Sequence, residues 1–366
     1  MLNSYNFSQL RKIVDINSYT KNKIGVDRNG EVFTSWMEAI GYESILYERE
    51  EIGNHLLFKS SKKEGKKILL LGHLDTVFSP FSFESFSEDD EWIYGPGVCD
   101  MKGGNMVALE ALRNVYNNFG EIKNIDLLLV SDEETGSDDS KTLTLSLAKE
   151  YDYCLVYEAA GKNGEVVTSR KGVGTFFIDI KGKATHAGNE YEKGIDANLE
   201  AAYKSIALTK LTNLEKETTV NVGKIEGGIG ANTISPSAKL TFEFRYTSID
   251  EKIRVLKEFE RINQNSYVDG TKATLSGGIQ RDVMQENDKQ LEFLKEIEEI
   301  YGESILKEKR GGVSDANHMA SEGVITLDGF GPFGDGDHTT NERANKKSYL
   351  DRIELSTKIF TYFMSN

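Results

Sequence analysis

The sequence predicts an α/β fold in two domains. A mixed-sheet α/β domain is built from both ends of the chain, and a ferredoxin-like unit is inserted between them. Three observations predict this. With 366 residues, the chain exceeds the roughly 250–300 residues at which a single hydrophobic core stops growing. Short continuous apolar runs alternate with a helical pattern, the rhythm of a sheet covered by helices. The middle of the chain reads β-α-β-β-α-β, the order of a split βαβ unit.

The first apolar runs are Ile68-Leu69-Leu70-Leu71, Ile125 to Val130 and Tyr153 to Tyr157. Runs of this length without alternation suit strands buried on both faces. Between the first two lies a helix from Gly104 to Phe119, where Met106, Leu109, Leu112, Val115 and Phe119 share one face. From Lys171 the pattern changes. Residues 173–180 read as a strand, 196–211 as a helix, and 218–225 and 238–247 as two further strands. Residues 250–262 form a helix with Ile253, Leu256, Phe259 and Ile262 on one side, and 272–276 form the last strand of the unit. After about residue 282, a helix over 289–301 leads to the apolar run Val324 to Leu327. The expected division is 1–170 and 282–366 for the outer domain and 171–281 for the inserted one.

Composition narrows the function classes. There are 44 basic against 59 acidic residues, a formal charge of −15, and no long basic run. Nucleic acid is therefore not an expected partner. The polar start MLNSYNFSQLRKIV lacks the apolar core of a signal peptide, and no stretch is long enough to span a membrane. Two cysteines, Cys99 and Cys154, make no disulfide framework. These features together lead to the expectation of a cytoplasmic protein.

Chemistry-bearing side chains follow three of the buried-type strands. Gly72-His73-Leu74-Asp75-Thr76 comes after Leu71, Ser131-Asp132-Glu133-Glu134 after Val130, and Glu158 after Tyr157. In open α/β sheets, sites gather beyond the carboxyl ends of strands. Asp100 in the glycine-rich stretch Tyr94 to Gly104, and His338 in Gly329 to Glu342, are two more candidates. Each has an ordinary alternative: Asp100 as a helix N-cap, His338 in a turn, the two glutamates on a solvated loop. The conjunction is more specific. Two His, one Asp and two Glu suit two divalent ions, with one carboxylate left as a base. Adjacent carboxylates repel, and a cation relieves that repulsion. Asp75 can hold the second ring nitrogen of His73. No Gly-x-Ser-x-Gly elbow exists, the Asp335-Gly336-Asp337 stretch lacks the EF-hand order, and Cys99 suits a packed position.

The stretches GHLDTV, YGPGVCDMKGG, SDEETGS, GKATHAG and HTTNE, in this order, resemble the dinuclear zinc exopeptidase and deacylase family over nearly the whole chain. The glutamate carboxypeptidase branch is the most similar, through ANTISPSAKLTFEFRY and GGVSDANHMA. The resemblance implies that His73, Asp100 and Glu158 hold one ion. Glu134, Asp100 and His338 hold the other, so that Asp100 bridges. It implies two divalent ions per chain, zinc first, with cobalt or manganese as alternatives. Glu133 is the implied general base and Asp75 its neighbour behind His73. The inserted unit becomes a lid and dimerisation domain, with His186 reaching the partner subunit's substrate as an oxyanion donor. Asn232, Arg245, Arg281 and the Gly312 backbone become substrate-binding groups. His55 and His318 are expected to be structural.

On this reading the protein hydrolyses an amide bond next to a free carboxylate, as a carboxypeptidase releasing a C-terminal amino acid such as glutamate. An N-acyl amino acid deacylase is the sibling alternative, and a non-catalytic binding protein on the same scaffold is the alternative from another class. The expected partners are a small peptide or N-acyl amino acid and a second copy of the chain.

Overall fold

The computed structural model describes residues 5–365. The chain divides into two compact units. The first comprises the chain up to Ser169, Glu286–Arg310 and everything from Ser314 onward; the second comprises Arg170–Gln285 with Gly311–Val313.

The first unit is built on a six-stranded mixed sheet in the order Glu43–Tyr47, His55–Lys59, Ile125–Val130, Ile68–His73, Tyr153–Val156, Ile325–Leu327. The two pairings on the Glu43–Tyr47 side are antiparallel, and the remaining three are parallel. Every residue of Ile68–His73 and Ile125–Val130 is buried, which is why these strands read as near-continuous apolar runs, interrupted in the second by the buried Asp126, rather than as alternating ones. Parallel pairing puts the carboxyl ends of the 68–73, 125–130 and 153–156 strands at the same edge. His73, the last residue of its strand, lies opposite Val130.

Helix Lys102–Phe119 packs against the C-terminal helix Lys346–Ser365. Its start is pressed onto the sheet: a Cβ on Gly104 would stand 1.9 Å from the Tyr157 carbonyl oxygen. Only glycine permits that approach, and it brings the segment before the helix to the strand end that leads into Glu158. The helix stops at Gly120, which at φ 76° is left-handed and returns its N–H to the Tyr116 carbonyl.

The second unit is a four-stranded antiparallel sheet in the order Thr219–Gly227, Ser237–Tyr246, Gly172–Lys181, Lys272–Arg281. With helices Ala197–Thr209 and Ile249–Gln264 between the strands, this is the ferredoxin-like order the sequence predicts. Leu240, Phe242, Phe244 and Tyr246 alternate into the core with Phe176, Ile178 and Phe259. The last strand runs to Arg281, five residues further than the sequence suggests. Gly277 and Gly278 resemble a turn in sequence. In the fold, Gly277 lies against the neighbouring strand, where a Cβ would meet the Thr175 carbonyl oxygen at 2.3 Å. Among the described residues, no helix is long and apolar enough to cross a membrane.

Candidate metal centre

The three strand ends bring their polar clusters together within the first unit. His73 Nε2 lies 3.0 Å from Asp100 Oδ1 and 3.8 Å from Glu158 Oε1. On the other side, His338 Nε2 lies 3.2 Å from Asp100 Oδ2 and 3.1 Å from Glu134 Oε2. One carboxylate thus presents one oxygen to each imidazole. His73, Asp100 and Glu134 offer ligand atoms within 4.8 Å of one another, and so do His73, Glu133 and Glu158. All six predicted residues of the cluster, His73, Asp100, Glu133, Glu134, Glu158 and His338, meet in one place.

The supporting contacts differ in part from the sequence expectation. Asp100 does not cap the helix, because the N-cap is Met101. The peptide bond between Asp100 and Met101 is cis. Asp75 does stand behind His73, but the nearest atom to Nδ1 is its backbone carbonyl at 3.0 Å, and its carboxylate is 3.4 Å away. That carboxylate instead accepts from Thr20 Oγ1 at 2.7 Å and from the Glu134 N–H at 3.3 Å. Asp75 therefore links the 68–73 and 125–130 strand ends. His338 sits at φ 61°, a conformation uncommon outside glycine and concentrated at functional sites.

Sequence reasoning gave Glu342 no role. It is fully buried, and its carboxylate accepts the backbone N–H groups of Gly97 at 3.1 Å, Cys99 at 2.9 Å and Asp100 at 3.1 Å. The available signal was the acid at the end of HTTNE, four residues after His338. What that acid would hold lies more than 240 residues away, which sequence spacing does not reveal.

The electrostatics are those of crowded acids. Burial, then Asp100, pushes Glu134 up to about 7. The same two causes push Glu158 well above the carboxylate range. Burial opposes the charge on His73, but Asp100 and Asp75 outweigh it and hold the imidazolium well above its ordinary value. Asp100 and Glu134 lift His338 to about 11. Burial raises Asp100 less than His338 and His73 lower it. Burial pushes Glu342 up to about 8 against its three N–H bonds. The cluster thus concentrates negative charge beside two imidazoles that attract protons in place of another cation.

The remaining predicted residues belong to the second unit. His186 and Asn232 lie on adjacent backbone segments, with the Ala187 N–H donating to the Asn232 carbonyl at 2.9 Å. Both side chains are exposed. His186 Nδ1 accepts from the Gly188 N–H at 3.2 Å. Arg245 is on the outer face of its strand, as the alternation predicts. There it forks onto Glu243 at 2.7 and 3.2 Å and donates to the Gly311 carbonyl at 3.2 Å. Arg281 is buried. The Gly312 carbonyl accepts from Arg170 at 3.2 Å. Outside the cluster, Cys99 and Cys154 are free, buried thiols. His55 is buried between the Ser131 N–H and Asp139, and His318 is buried.

Residues 69–365 match the model of "Peptidase family M20/M25/M40". Carboxypeptidase G2 of Pseudomonas sp. (strain RS-16) is 26% identical over 362 residues, spanning 96% of this chain and 86% of that protein. An acetylornithine deacetylase of Aliivibrio salmonicida (strain LFI1238) is 30% identical over 229 residues, 57% of this chain and 58% of the relative. The crystal structure of a tripeptidase from Staphylococcus aureus subsp. aureus mu50 superposes with a TM-score of 0.80 at 24% identity, over 98% of each chain. With the family model covering most of the chain, and strand ends that assemble acids and imidazoles into one cluster, the chain belongs to peptidase family M20/M25/M40 and is a hydrolase.

Proposed function

We propose that this hydrolase is a metal-dependent carboxypeptidase that cuts the amide bond next to a free carboxylate and releases a C-terminal amino acid such as glutamate. One observation carries the reading: Asp100 spans His73 and His338, one oxygen to each, with Glu133 beside His73 and Glu158. A bridging acid flanked by two imidazoles, each with its own second carboxylate, is the donor set of a pair of divalent ions.

The residues fit such a pair. Four acids and two histidines converge, and two of the acids are pushed up by burial and mutual repulsion. Divalent cations relieve both. His73, Asp100 and Glu158 would hold one ion, and Glu134, Asp100 and His338 the other. Zinc is the first candidate, with cobalt or manganese as alternatives. When bound, such ions polarise a carbonyl and lower the pKa of a water.

The chain's own residues do the rest. Glu133 takes the proton of the attacking water and delivers it to the leaving amine. Asp75 fixes the ring of His73 through Nδ1. His186, whose Nδ1 accepts a hydrogen bond, carries its proton on Nε2 when neutral and is then a donor suited to a developing oxyanion. Asn232, Arg245, Arg281 and the Gly312 backbone would bind the substrate, with Arg245 on its carboxylate.

A homodimer through the second unit is part of the proposal. Leu199, Tyr203 and Ile206 are 44%, 45% and 55% exposed along one face of helix Ala197–Thr209. That helix packs beside the edge strand Thr219–Gly227. An apolar stripe next to an unpaired strand edge suits an isologous contact. A cytoplasmic location is consistent with the free buried thiols.

The relationship to an acetylornithine deacetylase keeps N-acyl amino acid deacylation as the second reading, since both substrate classes place a carboxylate near the amide. A non-catalytic binder has no need for Glu133 beside a complete donor set. A panel of dipeptides with C-terminal Glu, aryl-glutamates and N-acetyl amino acids separates these readings. Cleavage confined to N-acetyl amino acids would replace the carboxypeptidase proposal. No cleavage of any member by metal-loaded protein would remove the catalytic one.

A further inference from the structure

We propose that the first unit carries a second binding site, for a small organic monocarboxylate with a flat apolar body. It is a cavity of about 520 Å³ beside Arg352, lined by none of the residues of the His73–Asp100 cluster. The volume lies in the range of small-molecule pockets.

Arg352 carries the argument. Its residue is only 4% exposed, and arginine is seldom buried to that degree without a counter-ion. Nη2 donates to the carbonyls of Gly164 and Glu165, each at 3.0 Å. Among the described residues, no carboxylate lies within ion-pair distance of it. The other arginines of this unit whose guanidinium is bound to an acid, such as Arg343 on Asp335 at 2.8 Å, show the usual alternative. Burial lowers Arg352 only to about 10, so the charge persists at neutral pH. Among the described residues, its hydrogen bonds run from Nη2 alone, and the residue lines the cavity.

The surroundings select the ligand. Lys162, on the cavity wall, is exposed and likewise has no ion pair among the described residues. Lys347 is committed to Asp351 at 2.6 Å. Glu303 is the remaining acid of the lining. Two uncommitted cations against one acid leave a single positive charge, which suits a monocarboxylate better than a phosphate dianion. Trp92 and Phe333 meet edge to face in the wall, ring centroids 6.1 Å apart, and Tyr301 adds a third ring. Aromatic walls favour a flat apolar body. Phe333 immediately precedes Gly334–Asp335, the strand paired with Arg343–Asn345. The loop between those strands carries His338, so an occupant would rest against the hairpin that presents this residue.

The test uses the full-length, metal-loaded chain with Trp36→Phe. That substitution leaves Trp92 as the only tryptophan, since the sequence has two. Benzoate is titrated against Trp92 fluorescence and thermal stability, with benzamide as the uncharged control. A saturable response to benzoate is expected, at least about tenfold weaker for benzamide, because a charge-assisted pair is lost. Lys162→Glu, at an exposed position, should weaken benzoate several-fold, and Arg352→Gln should erase the preference over benzamide. If Arg352→Gln does not fold, Lys162→Glu and Trp92→Ala decide the matter. Absence of saturation, equal responses to the two probes, or unchanged benzoate affinity in folded Lys162→Glu would overturn the proposal.

Discussion

Glu342 holds Asp100 by its backbone rather than by its side chain: the Glu342 carboxylate accepts the Asp100 N–H at 3.1 Å. The same group takes the N–H of Gly97 and Cys99, so one buried acid fixes the whole approach to the residue between the two histidines. An amide at this position must turn an N–H₂ toward a backbone N–H and lose at least one bond. Glu342→Gln is therefore expected to weaken metal binding by about 10- to 100-fold, the usual effect of removing a group that orients a ligand. Chelator competition on folded variant measures this. Wild-type affinity would show that the loop keeps its shape without Glu342.

Base and ligand separate by substitution. Glu133→Gln should retain metal and lose roughly 100- to 10,000-fold in turnover, the range of general-base catalysis. Glu134→Gln should also lose metal, since Glu134 Oε2 lies 3.1 Å from His338 Nε2. Elemental analysis and turnover of the two variants are compared directly. Full activity of Glu133→Gln would reassign the base.

Metal uptake should release protons. In the metal-free protein, His338 is lifted to about 11 and His73 well above its ordinary value, so both are protonated at pH 7. A metal ligand must be the neutral imidazole. Binding is expected to release at least two protons per chain, one from each histidine and more from Glu134 and Glu158, whose raised values keep them partly protonated, and to strengthen with rising pH. The linkage has the opposite sign for the metal-free fold. Because the folded value of His338 is raised, its attraction to Asp100 and Glu134 stabilises fully below its unfolded value and is lost as pH rises through about 11. Calorimetry in buffers of different ionisation enthalpy counts the protons. Uptake without proton release would contradict the histidine assignment.

Arg245 tests substrate recognition. Its fork onto Glu243 is half-exposed, and such pairs contribute about 0–1 kcal/mol to folding, so Arg245→Ala should fold normally. Its activity loss should be confined to substrates with a free carboxylate. Amidating that carboxylate should remove most of the difference from wild type. Equal losses on both substrates would mean that Arg245 does not read the carboxylate.

The sequence was most legible where one physical requirement dominates a run of residues. Strand Ile125–Val130 is buried throughout, and its apolar run has the same limits. The alternation from Leu240 to Tyr246 likewise marks a one-sided strand. Most of the cluster was legible because His73, Glu133, Glu134 and Glu158 follow such strands, while Asp100 and His338 stood out in glycine-rich stretches. Strands Glu43–Tyr47 and His55–Lys59 were not anticipated. The first is a partly exposed edge with no clean period. Helix Lys346–Ser365 escaped as well, because its buried residues include Lys346, Arg352 and Ser356, which break any apolar stripe. Glu342 was invisible for another reason: its partners are joined to it by folding alone.

The last prediction places His186 in the neighbouring subunit's reaction. It lies in the second unit, exposed, with Nδ1 already accepting from Gly188. His186→Ala should lower turnover without loss of metal, since it removes an oxyanion donor and no ligand. Chains carrying His186→Ala are then mixed with chains carrying Glu133→Ala, each nearly inactive alone, and allowed to exchange. In a mixed dimer with donors working in trans, one site pairs an intact Glu133 with an intact His186 from the other chain. Equal mixing makes about half of the dimers mixed, each with one working site of two, so about a quarter of wild-type activity should return. Mass spectrometry of differently tagged chains establishes that mixed dimers form. If they form and activity stays at the level of the parents, His186 does not act across the interface. Were that so, a fall in turnover for His186→Ala alone would have to come from its own subunit, and the dimer would lose its part in catalysis.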